Sequence, residues 1–141
     1  MKPRKCFIDS GVLIAAARGK QEISEIAITI LDDPNRKFVS SVFIKLEVLP
    51  KAVYHRKNEE VVFYNTYFDA VSHWAVNLEN ITNSALEYAE SYGLGAMDAF
   101  HIASAISGGA EEFVTTEKPD KPIHRVPNIR IITLQVQYFG K

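Results

Sequence analysis

The chain has 141 residues, the size of one ordinary domain, and we expect a single domain over residues 1–141. With 47% hydrophobic and 23% charged residues it has a globular composition, and no apolar run approaches the roughly 18 residues that span a bilayer. The formal net charge of −1 argues against a nucleic-acid-binding module that depends on an overall basic field. It leaves open an enzyme that holds phosphates through metal ions.

The amino-terminal segment and the cysteine content favour a cytoplasmic protein without a membrane partner. The first nine residues, MKPRKCFID, contain basic side chains but no long apolar segment after them, which argues against a signal peptide. Cys6 is the single cysteine, so it cannot form an internal disulfide. Its apolar neighbours predict a buried strand thiol.

Apolar periodicity predicts five elements in the first half of the chain. They are a strand over 4–9, a helix over 12–17, an amphipathic helix over 22–32, a strand over 37–40 and a helix that Ser41 caps and that continues to about residue 56. The last of these helices has an apolar stripe that we expect to face the core. The stripe consists of Val42, Leu46, Leu49 and Val53.

The second half continues the alternation of helices and strands. We expect a helix over 59–73, a strand over 75–78, a helix over 84–92 capped by Thr82 or Asn83, a helix over 96–107, a strand over 112–115, an irregular loop, a strand over 129–134 and a frayed tail. Aromatic residues are frequent around the first of these helices and fit either the core or an interface between two copies. They are Phe63, Tyr64, Tyr67, Phe68 and Trp74.

Short apolar strands that alternate with helices predict βα units and a parallel sheet covered on both faces. Ligands of such sheets bind beyond the carboxyl ends of the strands, so polar residues at those positions are the first candidates for a functional site.

The helix over 96–107 has apolar residues on every face, with glycines on both sides, and is therefore expected to be buried. Asp98 lies near its start. A buried carboxylate is costly unless hydrogen-bond donors, a cation or a metal ion compensates it. Asp98 is therefore either a capping residue or part of a functional site.

Four acids from four segments are expected at one edge of the sheet. Asp9 ends the first strand, Glu117 follows the strand over 112–115, Glu47 lies two helical turns after the second strand, and Asp98 begins the buried helix. Carboxylates that converge repel one another unless cations lie between them. Oxygen ligands favour Mg²⁺ or Mn²⁺, and such ions activate water and neutralise charge on a phosphodiester.

Four segments in this order resemble the signature blocks of the PIN-domain family, many of whose prokaryotic members are VapC-type toxins. The segments are FIDSGVLIAA, SSVFIKLEVL, GAMDAFHIASAI and FVTTEKP. The resemblance covers nearly the whole chain. It implies a three-layer α/β/α sandwich with a central parallel sheet of four to five strands. It also implies a Mg²⁺- or Mn²⁺-dependent endoribonuclease, acting as the toxin of a toxin–antitoxin pair and restrained by a cognate antitoxin.

By block position, the resemblance assigns the catalytic and metal-binding roles to Asp9, Glu47 and Asp98, with Glu117 in the place of a fourth acid. Ser10 and Thr115 fall where the family has hydroxyl residues that support the site. Two positions depart from the family pattern. Gly11 stands where the family usually has Asn or another polar residue, and Glu117 is one methylene longer than the usual Asp, which puts the fourth ligand in doubt.

Each of these residues also has a purely structural interpretation. Asp9 and Asp98 would serve as helix-capping or first-turn acids, Glu47 would pair with Lys51, and Glu117 would be a solvated loop acid. The hydroxyls would make local turn bonds. His101 is either a base or metal ligand one turn after Asp98 or, as we prefer, a packed histidine hydrogen-bonded in the core. Basic residues beside Glu117 either contact RNA or lie on a solvated surface; they are Lys118, Lys121 and Arg125.

Two rival functions stay open besides the ribonuclease. A non-catalytic PIN-like module that binds RNA or protein would explain the departures at Gly11 and Glu117. An aspartate-nucleophile phosphatase or receiver domain also has an acid at the end of its first strand, but it needs a second acid near Asp9, where this chain has Ser10 and Gly11. A homodimer is also possible.

Overall fold

A parallel sheet of five strands lies at the centre of the computed structural model, which describes residues 2–19 and 22–135. The strands are β1 (Arg4–Ile8), β2 (Arg36–Ser41), β3 (His73–Ala75), β4 (Glu112–Thr115) and β5 (Arg130–Thr133). Their order in the sheet is β3-β2-β1-β4-β5, and every neighbouring pair is parallel. This confirms the predicted sheet.

Within the described residues, six α-helices and a short 3₁₀ helix connect the strands. The helices are α1 (Ser10–Arg18), α2 (Glu22–Leu31), α3 (Val42–Tyr54), α4 (Asn58–Ala70), α5 (Leu78–Tyr92) and α6 (Ala96–Ser107), and the 3₁₀ helix spans Pro122–Arg125. They flank the sheet as the outer layers of an α/β/α sandwich, which confirms the predicted fold class. No helix in the described part of the chain is long and apolar enough to cross a membrane. The predicted frayed tail falls mainly on residues 136–141, outside the described residues.

The strands and α6 form the centre of the core. Phe7 of β1 and Phe113 of β4 are fully buried and stack with ring centroids 5.4 Å apart. In α6 every residue from Ala99 to Ala105 except the half-buried Phe100 is buried. The side chain of Cys6 is buried as predicted, and burial raises the pKa of its thiol to about 12.

The sheet changes winding direction between β1 and β4. From β1 the chain proceeds outward to β2 and β3 on one side, and β4 and β5 are added on the other. The two central strands are in register, with Ile8 opposite Val114, so both end at the same edge. A crevice forms where strand order reverses in this way, and it is the usual ligand site of open α/β sheets.

The predicted core stripe of α3 is wrong. Val42, Leu46 and Val53 are 44%, 60% and 56% exposed, and Leu49 is only half-buried. The face that packs inward carries other residues, namely Ile44, Val48 and Ala52. Both faces of α3 are apolar, and the side chains alone did not distinguish them.

The boundary between β3 and α5 also differs from the prediction. The third strand is His73–Ala75 rather than 75–78, and Leu78 already belongs to α5. Asn77, not Thr82 or Asn83, caps that helix by accepting a hydrogen bond from the backbone N–H of Asn80 at 3.1 Å. Of the aromatic residues around α4, three are buried in the core and Trp74 is 37% exposed; the buried ones are Tyr64, Tyr67 and Phe68.

Candidate active site

Asp9 lies at the carboxyl end of β1 and is only 6% exposed. It caps α1, with Oδ1 accepting a hydrogen bond from the backbone N–H of Ser10 at 2.9 Å. Its Oδ2 accepts a second bond, from the Thr115 hydroxyl at 2.8 Å. Burial raises the pKa of the Asp9 carboxyl, and the neighbouring His101 and these hydrogen bonds offset part of the rise. Asp9 therefore caps α1 although ionising its buried carboxyl group is costly, and a nearby cation would reduce that cost.

Glu47 reaches the same place from α3. Its Oε1 lies 2.7 Å from Nε2 of His101 on α6. This hydrogen bond is the main reason why the pKa of Glu47 is lowered, and a bond to the Ser10 side chain and the charge of Lys51 act in the same direction. Glu47 is therefore a carboxylate at neutral pH, held by a histidine rather than solvated on the helix surface.

One ligand atom each from Asp9, Glu47 and His101 lies within 4.8 Å of the others. The two carboxylates fit a divalent metal such as Mn²⁺, and the imidazole is hydrogen-bonded to one of them. The three residues come from the end of β1, from α3 and from α6, so only the folded chain brings them together.

Asp98 lies in the first turn of α6, whose N-cap is Gly95. Burial, and then the charges of Asp9 and Glu117, raise the pKa of Asp98 to about 6. Although Asp98 lies outside the three-residue group within 4.8 Å, its carboxyl group interacts electrostatically with the three other predicted acids. A raised pKa that comes first from burial and then from neighbouring like charges is frequent among carboxylates of functional sites.

Thr115 connects Asp9 to the segment that carries Glu117. Its buried hydroxyl donates to Asp9 and accepts from the backbone N–H of Glu117 at 3.1 Å. The carbonyl of Glu117 accepts from the Thr133 hydroxyl at 2.6 Å. The backbone of Glu117 is thus fixed beside the site, and its half-buried side chain is close enough to raise the pKa of Asp98.

Gly11, which departs from the family pattern, lies against the side chain of Thr116. A Cβ atom at this position would collide with the hydroxyl oxygen of Thr116. The Thr116 side chain therefore occupies the space that a larger residue at position 11 would need.

His101 is the site residue whose place the sequence did not reveal. It is buried as predicted, 1% exposed, but its hydrogen bond is to a predicted metal ligand rather than to the surrounding core. The spacing of three residues after Asp98, which puts both side chains on one face of a helix, was the available signal.

The comparisons with known proteins agree with this architecture. The family model described as PIN domain matches residues 6–124. The chain belongs to the PIN domain family. No curated protein sequence matches the chain.

Solved structures of two VapBC assemblies and of a toxin–antitoxin complex are similar to this PIN domain. The VapBC2 complex of Rickettsia felis, solved with a promoter DNA fragment, has a chain with 15% identity and a TM-score of 0.69; the match covers 92% of this chain and 98% of that one. A toxin–antitoxin complex of Klebsiella pneumoniae has a chain with 17% identity and a TM-score of 0.66; the match covers 92% of this chain and 97% of that one. DNA-bound VapBC of Salmonella typhimurium has a chain with 15% identity and a TM-score of 0.65; the match covers 93% of this chain and 98% of that one. At these identities the likeness establishes the fold.

Proposed function

We propose that this PIN domain is a metal-dependent endoribonuclease and the toxin of a type II toxin–antitoxin pair. The observation that carries the proposal is that carboxylate oxygens of Asp9 and Glu47 lie within 4.8 Å of each other beside His101, and that Asp98 is close enough to be affected by the charges of Asp9, Glu47 and Glu117. Burial and mutual repulsion raise the pKa of Asp98, and burial raises that of Asp9. Side chains arranged in this way are better suited to holding a cation than to stabilising the protein alone.

Asp9, Glu47 and Asp98 would hold one or two Mg²⁺ or Mn²⁺ ions, with Glu117 as an assisting ligand. When bound, such ions activate water and stabilise charge on a phosphodiester during in-line displacement. Thr115 and Ser10 orient the two carboxylates by hydrogen bonds to Asp9 and Glu47. These hydrogen bonds restrict the rotation of both carboxylates, which preorganises them for a cation.

RNA is the proposed substrate, and a groove next to Glu47 offers a path for its backbone. The groove, of about 280 Å³, lies between α1, α3 and α4. Arg18, Lys51 and Lys57 line it together with the acids Glu47 and Glu60. Arg18 is paired with Glu60 at 3.6 Å, so Lys51 and Lys57 are the better candidates for phosphate contacts. The exposed cations predicted in the loop after Glu117 are a second candidate for phosphate contacts; they are Lys118, Lys121 and Arg125. Cations of this kind position a phosphate backbone without reading its sequence.

The test is RNA cleavage with Mn²⁺ and with chelator, using Asp98→Asn and, as a matched control, Asp69→Asn on the exposed face of α4. We expect Asp98→Asn to abolish metal-dependent cleavage while the protein stays folded, and Asp69→Asn to cleave like the wild type. Full activity of Asp98→Asn would contradict the proposal.

The Lys51→Ala variant tests the groove. It should weaken RNA binding moderately at low salt, and less at high salt.

The same assay separates the ribonuclease from a non-catalytic module. A module with a degenerate site would bind RNA or a protein without cleavage, and millimolar Mn²⁺ would not raise its melting temperature. A metal site in the native state would raise it through ligand linkage.

A cognate antitoxin is the proposed protein partner. The proposal is supported by the complexes in which the similar folds were solved. We expect induction of this chain alone to arrest growth and coexpression of the product of an adjacent small gene to restore it. That the chain forms a homodimer stays a prediction. A substitution in the exposed apolar stripe of α3 tests it.

A further inference from the structure

His101 is a buried polar side chain that the proposed chemistry does not yet use. It lies one turn after Asp98 on α6, and its side chain is only 2% exposed. Its ring lies 6.1 Å from that of Phe7, centroid to centroid. Placing an imidazole in such surroundings is costly unless its nitrogen atoms gain something in return.

The hydrogen bond to Glu47 offsets the cost of burying the imidazole, and which atom donates the proton can be inferred. A glutamate side chain is a carboxylate at neutral pH and has no proton to donate, so it can only accept. Nε2 of His101 must therefore carry the proton across the 2.7 Å contact. Nδ1 is buried and has no hydrogen-bond partner among the described residues. Among the described residues, the bond to Glu47 is thus the one hydrogen bond of the His101 ring.

The contact matters because Glu47 has a long, flexible side chain, which the bond to His101 restrains together with a hydrogen bond to the Ser10 side chain. A glutamate on a helix surface has several rotamers, and fixing such a side chain costs about 1.5–2 kcal/mol of conformational entropy. The imidazole holds Oε1 from the buried side while oxygen lone pairs remain for a cation. A rigid ring anchored in the core can thus fix where a half-exposed carboxylate points.

We propose that His101 is a positioning residue that holds the Glu47 carboxylate ready for metal binding, an inference that rests on the proposed metal-dependent function. His101 as a direct ligand is the competing assignment. It would require Nε2 to lose its proton and its hydrogen bond to Glu47 before it could coordinate an ion.

Titration calorimetry with Mn²⁺ alone tests the assignment on wild type, His101→Leu and His101→Gln. Leucine fills the apolar site but donates no hydrogen bond, whereas glutamine can place an N–H near the position of Nε2. We expect His101→Leu to lower Mn²⁺ affinity about 10–100-fold, the usual effect of losing a partner that orients a ligand. His101→Gln should stay within about threefold of wild type, since the donor is kept. Thermal unfolding without metal checks that each variant folds.

Imidazole ¹⁵N NMR of the wild type keeps the proposal falsifiable if a variant does not fold. Nε2 should be protonated without metal and should remain protonated when diamagnetic Mg²⁺ is added. Loss of that proton on adding Mg²⁺ would make His101 a ligand and overturn the proposal.

The calorimetric outcomes are equally decisive. Wild-type affinity in His101→Leu, or equal weakening in the leucine and glutamine variants, would overturn the positioning role while leaving the metal site intact. A wild type that binds neither Mn²⁺ nor Mg²⁺ would overturn this role together with the proposed metal-dependent function.

Discussion

The hydroxyl of Thr115 donates a 2.8 Å hydrogen bond to Oδ2 of Asp9 and so joins the carboxyl ends of β4 and β1. These strands are adjacent where the winding of the sheet reverses. The bond therefore ties together the two chain segments from which Asp9 and Glu117 enter the site. A change at Thr115 should affect stability and metal binding together.

Thr115→Val is the first prediction, because valine keeps the shape of the side chain and removes the hydroxyl. Asp9 and the backbone N–H of Glu117 would each lose a partner in a buried place. We expect a loss of about 1–3 kcal/mol in the free energy of unfolding, measured by urea titration, and weaker Mn²⁺ binding. Thr115→Ser keeps the hydroxyl and should behave nearly like the wild type. Equal stability of the valine and serine variants would show that the bond contributes nothing.

The close approach of Gly11 and Thr116 leads to the second prediction. A methyl group at position 11 would collide with the Thr116 hydroxyl, although that side chain can rotate in part. We expect Gly11→Ala to cost about 1 kcal/mol of unfolding free energy, the lower end of the usual cost of overpacking. The double variant Gly11→Ala with Thr116→Ala should recover most of this loss in a double-mutant cycle. Additive effects would contradict the proposed contact.

The exposed apolar face of α3 provides the third prediction. Leu46 is 60% exposed between Val42 and Val53, so replacing it with glutamate should leave the core unchanged. If this stripe joins two copies, Leu46→Glu should convert a dimer to a monomer, as measured by light scattering after gel filtration. The matched control is Leu86→Glu on α5, which is equally exposed at 60% and should not change the mass. A dimer that persists in the Leu46 variant would place the interface elsewhere.

The order of strands and helices was largely predictable because short segments with a few apolar residues alternate with longer segments of helical periodicity. The buried face of α3 was not predictable. Its exposed residues Val42, Leu46 and Val53 are larger and more hydrophobic than some of its buried ones, such as Ala52. Periodicity measures amphipathicity within a helix and does not reveal which apolar face meets the sheet. The start of α5 was hidden for a related reason, since Leu78 continued an apolar run that resembled a strand.

For the candidate site, strand ends and helix starts indicated where the acids would lie, but not how they are held. The bond of His101 to Glu47 joins residues 54 positions apart, and such pairs are set by packing between α3 and α6. The close approach of Gly11 and Thr116 was likewise not predictable, because the two residues are neighbours in space and not in sequence.

At the opposite end of the strands, Glu112 provides the fourth prediction. It is 3% exposed and forms ion pairs of 3.5–3.8 Å with three arginines, namely Arg4, Arg36 and Arg130. It also accepts a 3.1 Å hydrogen bond from the thiol of Cys6. Glu112→Gln would leave the largely buried Arg36 with the longer 3.8 Å ion pair to Asp33, while the more exposed Arg4 and Arg130 can be solvated by water.

We therefore expect a loss of about 2 kcal/mol in unfolding free energy, below the usual cost of breaking a fully buried ion pair. Urea titration measures it, with the exposed Glu87→Gln as the matched control. Because Glu112 lies far along the strands from the site, Mn²⁺ affinity should not change. A loss equal to that of the control would indicate that the ion pairs are merely surface contacts.

The raised pKa of Asp98 gives a final prediction about pH. Its pKa rises from 3.8 to about 6 on folding without metal, so between these values the folded chain holds a proton that the unfolded chain has released. Stability must therefore fall as pH rises through this window, and the cost is fully present above it. A shift of about two units corresponds to at most about 3 kcal/mol. Solvent screening and the favourable first-turn position reduce this to about 1 kcal/mol.

Asp98→Asn removes that cost. Urea titrations with chelator present should find the variant about 1 kcal/mol more stable than the wild type near pH 7 and equal to it near pH 4. Mn²⁺ should reverse the order at pH 7, since the ion stabilises the wild type and not the variant. A variant that is less stable than the wild type at pH 7 without metal would mean that Asp98 stabilises the fold as a first-turn acid and is not held under repulsion.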